Sequence, residues 1–181
     1  MTRIAPVAPE RADTKTAATL KAVKAKLGML PNLITTLARS PAALNGYLQF
    51  GEAVAGGKLS ARQRELIALA VAQENACEYC LSAHAAIGKG VGLSGQDIEG
   101  AREGRARHAL DDAVVAFALR VVRARGGVSD ADLEAVRRAG ADDGLVVEIV
   151  ANVALNVLTN YLNRVAGTEV DFPVLPLQRA A

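Results

Sequence analysis

The sequence is poor in reactive side chains: its 181 residues include two cysteines, two histidines and no tryptophan. Two cysteines cannot build the disulfide framework of a small secreted domain. The charges nearly cancel, with 21 basic and 19 acidic residues and a formal net charge of +2, so nothing favours a nucleic-acid partner. At 51% hydrophobic and 22% charged, the composition is that of a globular chain rather than a disordered one.

Export and membrane-spanning signals are missing as well. Prolines and charges interrupt residues 1–15, which do not resemble an export signal. The longest apolar stretch, residues 144–162, is broken by a glutamate and several asparagines and is typical of a buried helix. We therefore expect a cytoplasmic protein with no membrane partner. In that compartment, cysteine pairs are more often catalytic or metal-binding than structural.

Helical periodicity runs through almost the whole chain. No segment alternates with a two-residue period for long enough to predict a strand, and no repeat or linker divides the sequence. Ser60 is a predicted N-cap, and Gly28 follows the end of the first helix. The pattern predicts one all-α domain over residues 1–181, a bundle of about eight or nine helices with core helices at about 41–166 and an extended tail at 167–181.

Both cysteines and one histidine fall in a single segment, ENACEYCLSAHAAIG, at residues 74–88. On a helix, spacings of three and four place Cys77, Cys80 and His84 on one face, within about two turns. Cys77 lies near the helix start, where unpaired backbone N–H groups favour a thiolate and lower its pKa from about 8.5. His84 can take or return a proton. The segment therefore favours a dithiol that cycles to a disulfide and back.

Carboxylates near this segment are candidates for orienting the histidine. Glu65 lies on the preceding apolar helix, where a charge requires a partner. A hydrogen bond from that helix to His84 would hold the ring as a base. Glu74 immediately precedes the cysteine helix, and Glu78 is expected to point away from the shared face.

Three other interpretations of the segment stay open: a structural disulfide, a pair of inert buried cysteines, and a zinc site. Zinc would use Cys77, Cys80 and His84, completed by Glu65. It is disfavoured because His108 is the one remaining histidine and no further cysteine exists. Farther along the chain, three asparagines recur at every fourth position of the last apolar helix. We expect them to make hydrogen bonds between helices rather than to line a pocket; they are Asn152, Asn156 and Asn160.

The string Glu74-x-x-Cys77-x-x-Cys80-x-x-x-His84, set in residues of about 59–97, resembles the signature of the alkylhydroperoxidase D-like group within the carboxymuconolactone decarboxylase superfamily. LPNLITTLARSPAALNGYLQF before it and NYLNRVAGTEVDFP near the end are similar to the peroxidase-related branch of that group. The resemblance implies an all-α fold that assembles as homotrimers or homohexamers. It also implies reduction of organic hydroperoxides by the cysteine pair, without haem, flavin or metal. Long apolar helix faces with 3% aromatic residues independently favour burial between subunits.

The resemblance also assigns roles. Cys80 would be the peroxidatic cysteine and Cys77 the more accessible resolving one, which meets a dithiol reductant such as a lipoyl group or a thioredoxin-like protein. His84 and Glu65 would form the proton relay. The helix-start argument, by contrast, favours Cys77 as the more acidic thiol. Glu74 matches the first signature position and receives no role beyond local structure.

Tyr79 departs from the family pattern, because better-studied alkylhydroperoxidase D proteins have a histidine just before the second cysteine. We expect Tyr79 to donate a hydrogen bond or to pack. An alternative function on the same scaffold is a lactone or keto-acid enzyme that uses His84 and Glu65. The cysteine pair disfavours it, since the family's decarboxylases generally lack the pair. The remaining alternative is a non-enzymatic redox or zinc-binding module.

Overall fold

The structure, a computed structural model, describes residues 1–178. Over these residues the backbone forms nine α-helices, one short 3-10 helix and no strand, so the predicted all-α fold is confirmed. The α-helices are α1 (Thr14–Leu27), α2 (Asn32–Leu37), α3 (Pro41–Ala55), α4 (Ala61–Glu74), α5 (Glu78–Gly90), α6 (Gly95–Arg102), α7 (Ala109–Arg123), α8 (Asp130–Arg138) and α9 (Asp143–Ala166).

α4 is the central helix and contacts α5, α6, α7 and α9. Every residue from Leu66 to Ala72 is buried, so this stretch of the helix is apolar around its whole circumference. Such a helix is stable only inside a protein. One buried cluster joins α4 to α5 and α6, and another joins it to α7, α8 and α9. α4 therefore forms the wall behind the cysteine segment.

Helix boundaries follow capping residues that the sequence predicts. The Ser60 hydroxyl accepts from the backbone N–H of Gln63, and the Gln63 side chain accepts from the N–H of Ser60, which closes a capping box at the start of α4. Gly28 ends α1 with a φ of 75°, in the left-handed region that favours glycine.

α9, with 24 residues, is the one helix within residues 1–178 that is long and apolar enough to cross a membrane by length and composition. The core helix of a protein passes the same test, and α9 packs against α3, α4, α5 and α7. The glutamate that interrupts its apolar pattern has a local partner: Glu148 accepts a hydrogen bond from the backbone N–H of Leu59 at 3.0 Å.

The tail from Thr168 to Gln178 contains neither helix nor strand. It runs back over α5 and α6. The backbone N–H of Leu175 donates to the buried hydroxyl of Ser82 at 3.0 Å, and Arg102 donates to the carbonyl of Pro176 at 2.7 Å. Residues 179–181 of the predicted extended tail lie outside the described residues.

Candidate active site

A sharp turn between α4 and α5 presents the cysteine pair. Ala76 takes a positive φ of 51°, which is strained for a residue with a side chain. The backbone N–H of Cys77 then donates to the carbonyl of Ala72 at 2.9 Å and closes the turn. Cys77 is the N-cap of α5 rather than a residue inside it, which corrects the expectation that the helix includes both cysteines.

The two sulfurs lie together at this helix start. The Cys77 Sγ accepts the backbone N–H of Cys80 at 3.2 Å, as an N-cap side chain does. The Cα atoms of the two cysteines are 5.4 Å apart, within the range of disulfides, and the sulfurs are bonded to each other. The geometry that a dithiol–disulfide cycle requires is therefore present.

Both cysteines belong to the core of the chain. Cys77 is 1% exposed and Cys80 is 3% exposed. In this disulfide-bonded form neither sulfur is exposed, so the greater accessibility of the Cys77 thiol stays a prediction for the reduced protein. Access to either sulfur requires movement of the residues packed around it, because both sulfurs sit in the apolar cluster between α4, α5 and α6.

Glu65 and His84 form the hydrogen bond expected from the sequence. Glu65 Oε2 lies 2.8 Å from His84 Nδ1, with the two side chains 14% and 24% exposed. A carboxylate can only accept, so Nδ1 carries a proton, and in the neutral ring Nε2 has the lone pair. This arrangement holds the imidazole in the tautomer that acts as a base at Nε2.

A polar cavity of about 110 Å³ opens beside this pair. Burial, together with the negative charge of Glu65, raises the pKa of the Tyr47 phenol on its wall. Neither cysteine lines the cavity. The residues that line it are Tyr47, Gly51, Val54, Arg64, Glu65, Ala68, His84, Asn152, Leu155, Asn156 and Thr159.

Tyr79 both accepts a hydrogen bond and packs against another aromatic ring. Its hydroxyl accepts the backbone N–H of Leu33 at 3.1 Å, and its ring meets the ring of Phe172 edge-on with centroids 5.8 Å apart. Burial raises the pKa of the Tyr79 phenol far above its ordinary value, and the negative charge of Asp171 acts in the same direction. Tyr79 therefore keeps its proton at physiological pH.

Glu74 lies elsewhere than the sequence predicts. It is the last residue of α4 rather than a residue adjoining the cysteine helix. Its carboxylate accepts from Arg123 of α7 at 2.8 Å, which joins the ends of two neighbouring helices. Glu78 is exposed in the first turn of α5, as expected.

Two of the three asparagines that were expected to make hydrogen bonds between helices do not make them. Asn152 and Asn156 donate to backbone carbonyls four residues earlier in their own helix, and both line the polar cavity. The Asn160 side chain does bridge between elements, since it accepts from Asn75 at 3.0 Å.

A fourth asparagine on this helix, Asn163, was missed by the sequence analysis. Its Nδ2 donates to the Cys80 Sγ at 3.3 Å, and the side chain is 3% exposed. Its position, three residues beyond Asn160, continues the polar side of α9, and this was the one signal available. Within residues 1–178, no group of three or more His, Cys, Asp or Glu side chains is arranged to hold a metal ion.

The family model of the carboxymuconolactone decarboxylase family matches residues 41–124. The chain is similar to an uncharacterized peroxidase-related protein from Ralstonia eutropha JMP134, solved as an alkylhydroperoxidase AhpD core, with 26% identity and a TM-score of 0.85 over 94% of this chain and 92% of that chain. A peroxidase-related protein from Silicibacter sp. TM1040 gives 25% identity and a TM-score of 0.80 over 88% of this chain and 86% of that chain.

Two further likenesses are narrower in what they show. The debrominase Bmp8, solved in complex with 2,3,4-tribromopyrrole, gives a TM-score of 0.80 over 94% of this chain and 92% of that chain, but its 18% identity shows a common fold alone. An uncharacterized protein of Haemophilus influenzae is 54% identical over 46 residues, which span 25% of this chain and 41% of that protein's length.

Over residues 1–178, fold and site together define an all-helical protein with a cysteine pair at the start of α5 and a carboxylate-bound histidine in the middle of the same helix. The family-model match over residues 41–124 and the likeness to peroxidase-related structures support an alkylhydroperoxidase D-like member of the carboxymuconolactone decarboxylase superfamily.

Proposed function

We propose that the chain is a thiol-dependent peroxidase that reduces organic hydroperoxides through Cys80 and Cys77, with His84 and Glu65 as the proton relay. The observation that carries this proposal is a bonded sulfur pair at the start of α5 together with a carboxylate-oriented imidazole in the middle of the same helix. The pair can exchange two electrons, and the imidazole can move protons. The likeness to peroxidase-related proteins supports the same reaction class.

In the reduced protein, His84 takes the proton of the Cys80 thiol, and the thiolate attacks the terminal oxygen of the hydroperoxide. The O–O bond breaks, the alkoxide receives the proton from His84 and leaves as an alcohol, and Cys80 becomes a sulfenic acid. The Cys77 thiol then attacks that sulfur, which releases water and forms the disulfide. A dithiol, lipoyl or thioredoxin-like, returns two electrons and two protons by thiol–disulfide exchange.

Mass spectrometry of the reduced protein after equimolar cumene hydroperoxide tests this cycle. We expect the loss of two hydrogens with no retained oxygen, and recovery of the original mass when dihydrolipoamide is added. Cys80→Ser should abolish turnover, whereas Cys77→Ser should stop at a sulfenic acid on Cys80. Full turnover by Cys80→Ser would show that Cys80 is not the attacking residue.

A matched pair of variants tests the relay. Glu65→Gln keeps the shape of the side chain but removes the charge that orients His84, and it should lower turnover by about 10²-fold. Glu78→Gln is the control, because Glu78 is exposed and does not line the cavity. Equal losses in the two variants would argue against a relay through Glu65.

A lactone or keto-acid reaction is the second candidate, and the polar cavity favours it. Glu65 and His84 line this cavity while the cysteines do not, so acid–base chemistry there needs no sulfur. Turnover of a carboxymuconolactone that survives alkylation of both thiols would favour this candidate over the peroxidase.

We also propose that the chain works in the cytoplasm as a homotrimer or homohexamer. A reducing compartment supports a disulfide that must be reopened in every cycle. Exposed apolar side chains on α9 support self-association. No nucleic-acid or membrane partner is part of the proposal.

A further inference from the structure

Asn163 places a side-chain amide against one sulfur of the pair. Its Nδ2 donates to the Cys80 Sγ at 3.3 Å. The Cys77 Sγ has a different donor, the backbone N–H of Cys80 at 3.2 Å. The two sulfurs are therefore held differently: Cys77 by the first turn of its own helix, and Cys80 by a side chain that comes from α9.

The orientation of this amide leaves one of its polar atoms without a hydrogen bond. Asn163 Oδ1 is buried without a hydrogen-bond partner, and an unpaired buried acceptor destabilises a fold. Turning the amide over would bring its oxygen against the sulfur, so that two acceptors faced each other. The N–H group therefore belongs on the sulfur side.

We propose that Asn163 selects Cys80 as the attacking sulfur by stabilising its thiolate. A hydrogen bond to a charged acceptor is stronger than one to a neutral acceptor, and at a buried site the donor replaces solvation that water would otherwise supply. His84 follows Cys80 by four residues, which places both on one side of α5, and in the proposed relay it takes the Cys80 proton. The role in turnover rests on the proposed peroxidase function, whereas the thiolate preference is a property of the reduced protein alone.

Charged and titratable groups reach this region from each neighbouring element. Glu65 on α4 is bonded to His84 on α5 at 2.8 Å, and Arg164 on α9 donates to the carbonyl of Asn75 at 3.0 Å. In the tail, Asp171 accepts from the backbone of α2. None of these groups changes in the variants below, so a shift in the Cys80 titration there belongs to position 163.

The pH dependence of iodoacetamide alkylation of the reduced protein tests this inference. Cys77→Ser isolates the Cys80 thiol, and Cys80→Ser isolates the Cys77 thiol. We expect the pKa of Cys80 to lie below that of Cys77. Adding Asn163→Ala should raise the pKa of Cys80 by about one unit, which leaves about tenfold less thiolate below that pKa. The pKa of Cys77 should move little.

Asn163→Asp is the second variant. It keeps the side-chain volume but sets a carboxylate against the sulfur, so it should raise the pKa of Cys80 further. Asn160→Ala is the matched control, because Asn160 is a fully buried asparagine on the same helix whose hydrogen bond goes to Asn75. It should leave the Cys80 profile in place.

An unchanged Cys80 profile in Asn163→Ala and Asn163→Asp, or an equal shift in Asn160→Ala, would overturn the inference. If Asn163→Ala does not fold, the pH dependence of Cys80 alkylation in Asn163→Asp tests the inference instead. A shifted profile in a protein that turns over no hydroperoxide would keep the role of Asn163 and reject the peroxidase. Hydroperoxide turnover with an unchanged Cys80 alkylation profile in these variants would keep the peroxidase and reject the role of Asn163.

Discussion

At the scale of the residue, Tyr79 is the departure from the alkylhydroperoxidase D pattern that the sequence resembles, which has a histidine at this position. Its hydroxyl accepts from the backbone of Leu33 on α2, and its ring packs against Phe172 in the tail. Both contacts come from segments distant in sequence, so Tyr79 joins the two ends of the chain to the cysteine helix. Because burial raises the pKa of its phenol, Tyr79 is a poor proton carrier near neutral pH.

Tyr79→Phe should therefore change stability and leave chemistry in place. The backbone N–H of Leu33 loses its acceptor, so the free energy of unfolding in urea should fall by about 1 kcal/mol. Hydroperoxide turnover should stay close to that of the parent protein. A large fall in turnover without a loss of stability would contradict this role and place the phenol in the relay.

Residues differ in how far their partners can be predicted from the sequence. The pairing of Glu65 with His84 could be predicted because a charge on an apolar helix requires a partner, and few polar groups were available to it. The contact between Asn163 and Cys80 joins residues 83 positions apart. It depends on how α9 is rotated against α5, which local patterns do not specify.

At the scale of the element, Asp97 links two helices. Its carboxylate accepts from the backbone N–H of Ser94 at 2.9 Å, in the capping box of α6, and it pairs with Arg62 of α4 at 2.7 Å. The hydrogen bond from Arg62 holds the pKa of Asp97 well below its usual range. The Asp97 side chain is 5% exposed and the Arg62 side chain 27%, so solvent screens this pair less than a fully exposed one.

The contribution of Asp97 to stability should depend on pH. Since its pKa is lower in the folded chain than the value of about 3.9 expected when unfolded, the ionised carboxylate stabilises the fold at neutral pH. This stabilisation should decline once the pH falls below about 4, and it is lost as the pH falls through the folded pKa. Asp97→Asn should lower the free energy of unfolding by about 2 kcal/mol at neutral pH, and the gap to the parent protein should narrow in acid.

Asp132→Asn is the matched control for urea unfolding across this pH series. It alters the same kind of capping box, formed with Ser129 at the start of α8, but its arginine partner is mostly exposed. The loss should be smaller than for Asp97→Asn. A gap between Asp97→Asn and the parent that stays constant down to pH 2 would show that the pairing with Arg62 does not lower the pKa of Asp97 in the fold.

Helix boundaries were predictable where the signal is local, and not where tertiary packing sets them. Ser60 and Gly28 act on their nearest neighbours, so their types predict the helix ends. The break between α4 and α5 carries no glycine or proline. Ala76 takes the left-handed conformation there, which the sequence does not favour. For this reason, Cys77 was expected inside the helix that it caps.

At the scale of the whole molecule, α9 has two contrasting sides. One side buries asparagines against the cavity and the cysteine segment. The opposite side carries an apolar stripe whose members recur at spacings close to those of a packed helix seam and are each at least 43% exposed. Exposed apolar surface of this regularity is typical of an interface. The stripe consists of Val147, Val150, Leu158, Tyr161 and Val165.

Leu158→Glu should disrupt assembly, because it would bury a charge in the proposed interface without a partner. Light scattering on a gel-filtration column should give a trimer or hexamer for the parent protein and a smaller species for the variant. Leu27→Glu is the matched control, since Leu27 is similarly exposed, at 55% against 46%, but lies on α1. A parent protein that runs as a monomer, or a Leu158→Glu variant that keeps the parent mass, would show that the stripe on α9 is not where copies of this chain meet.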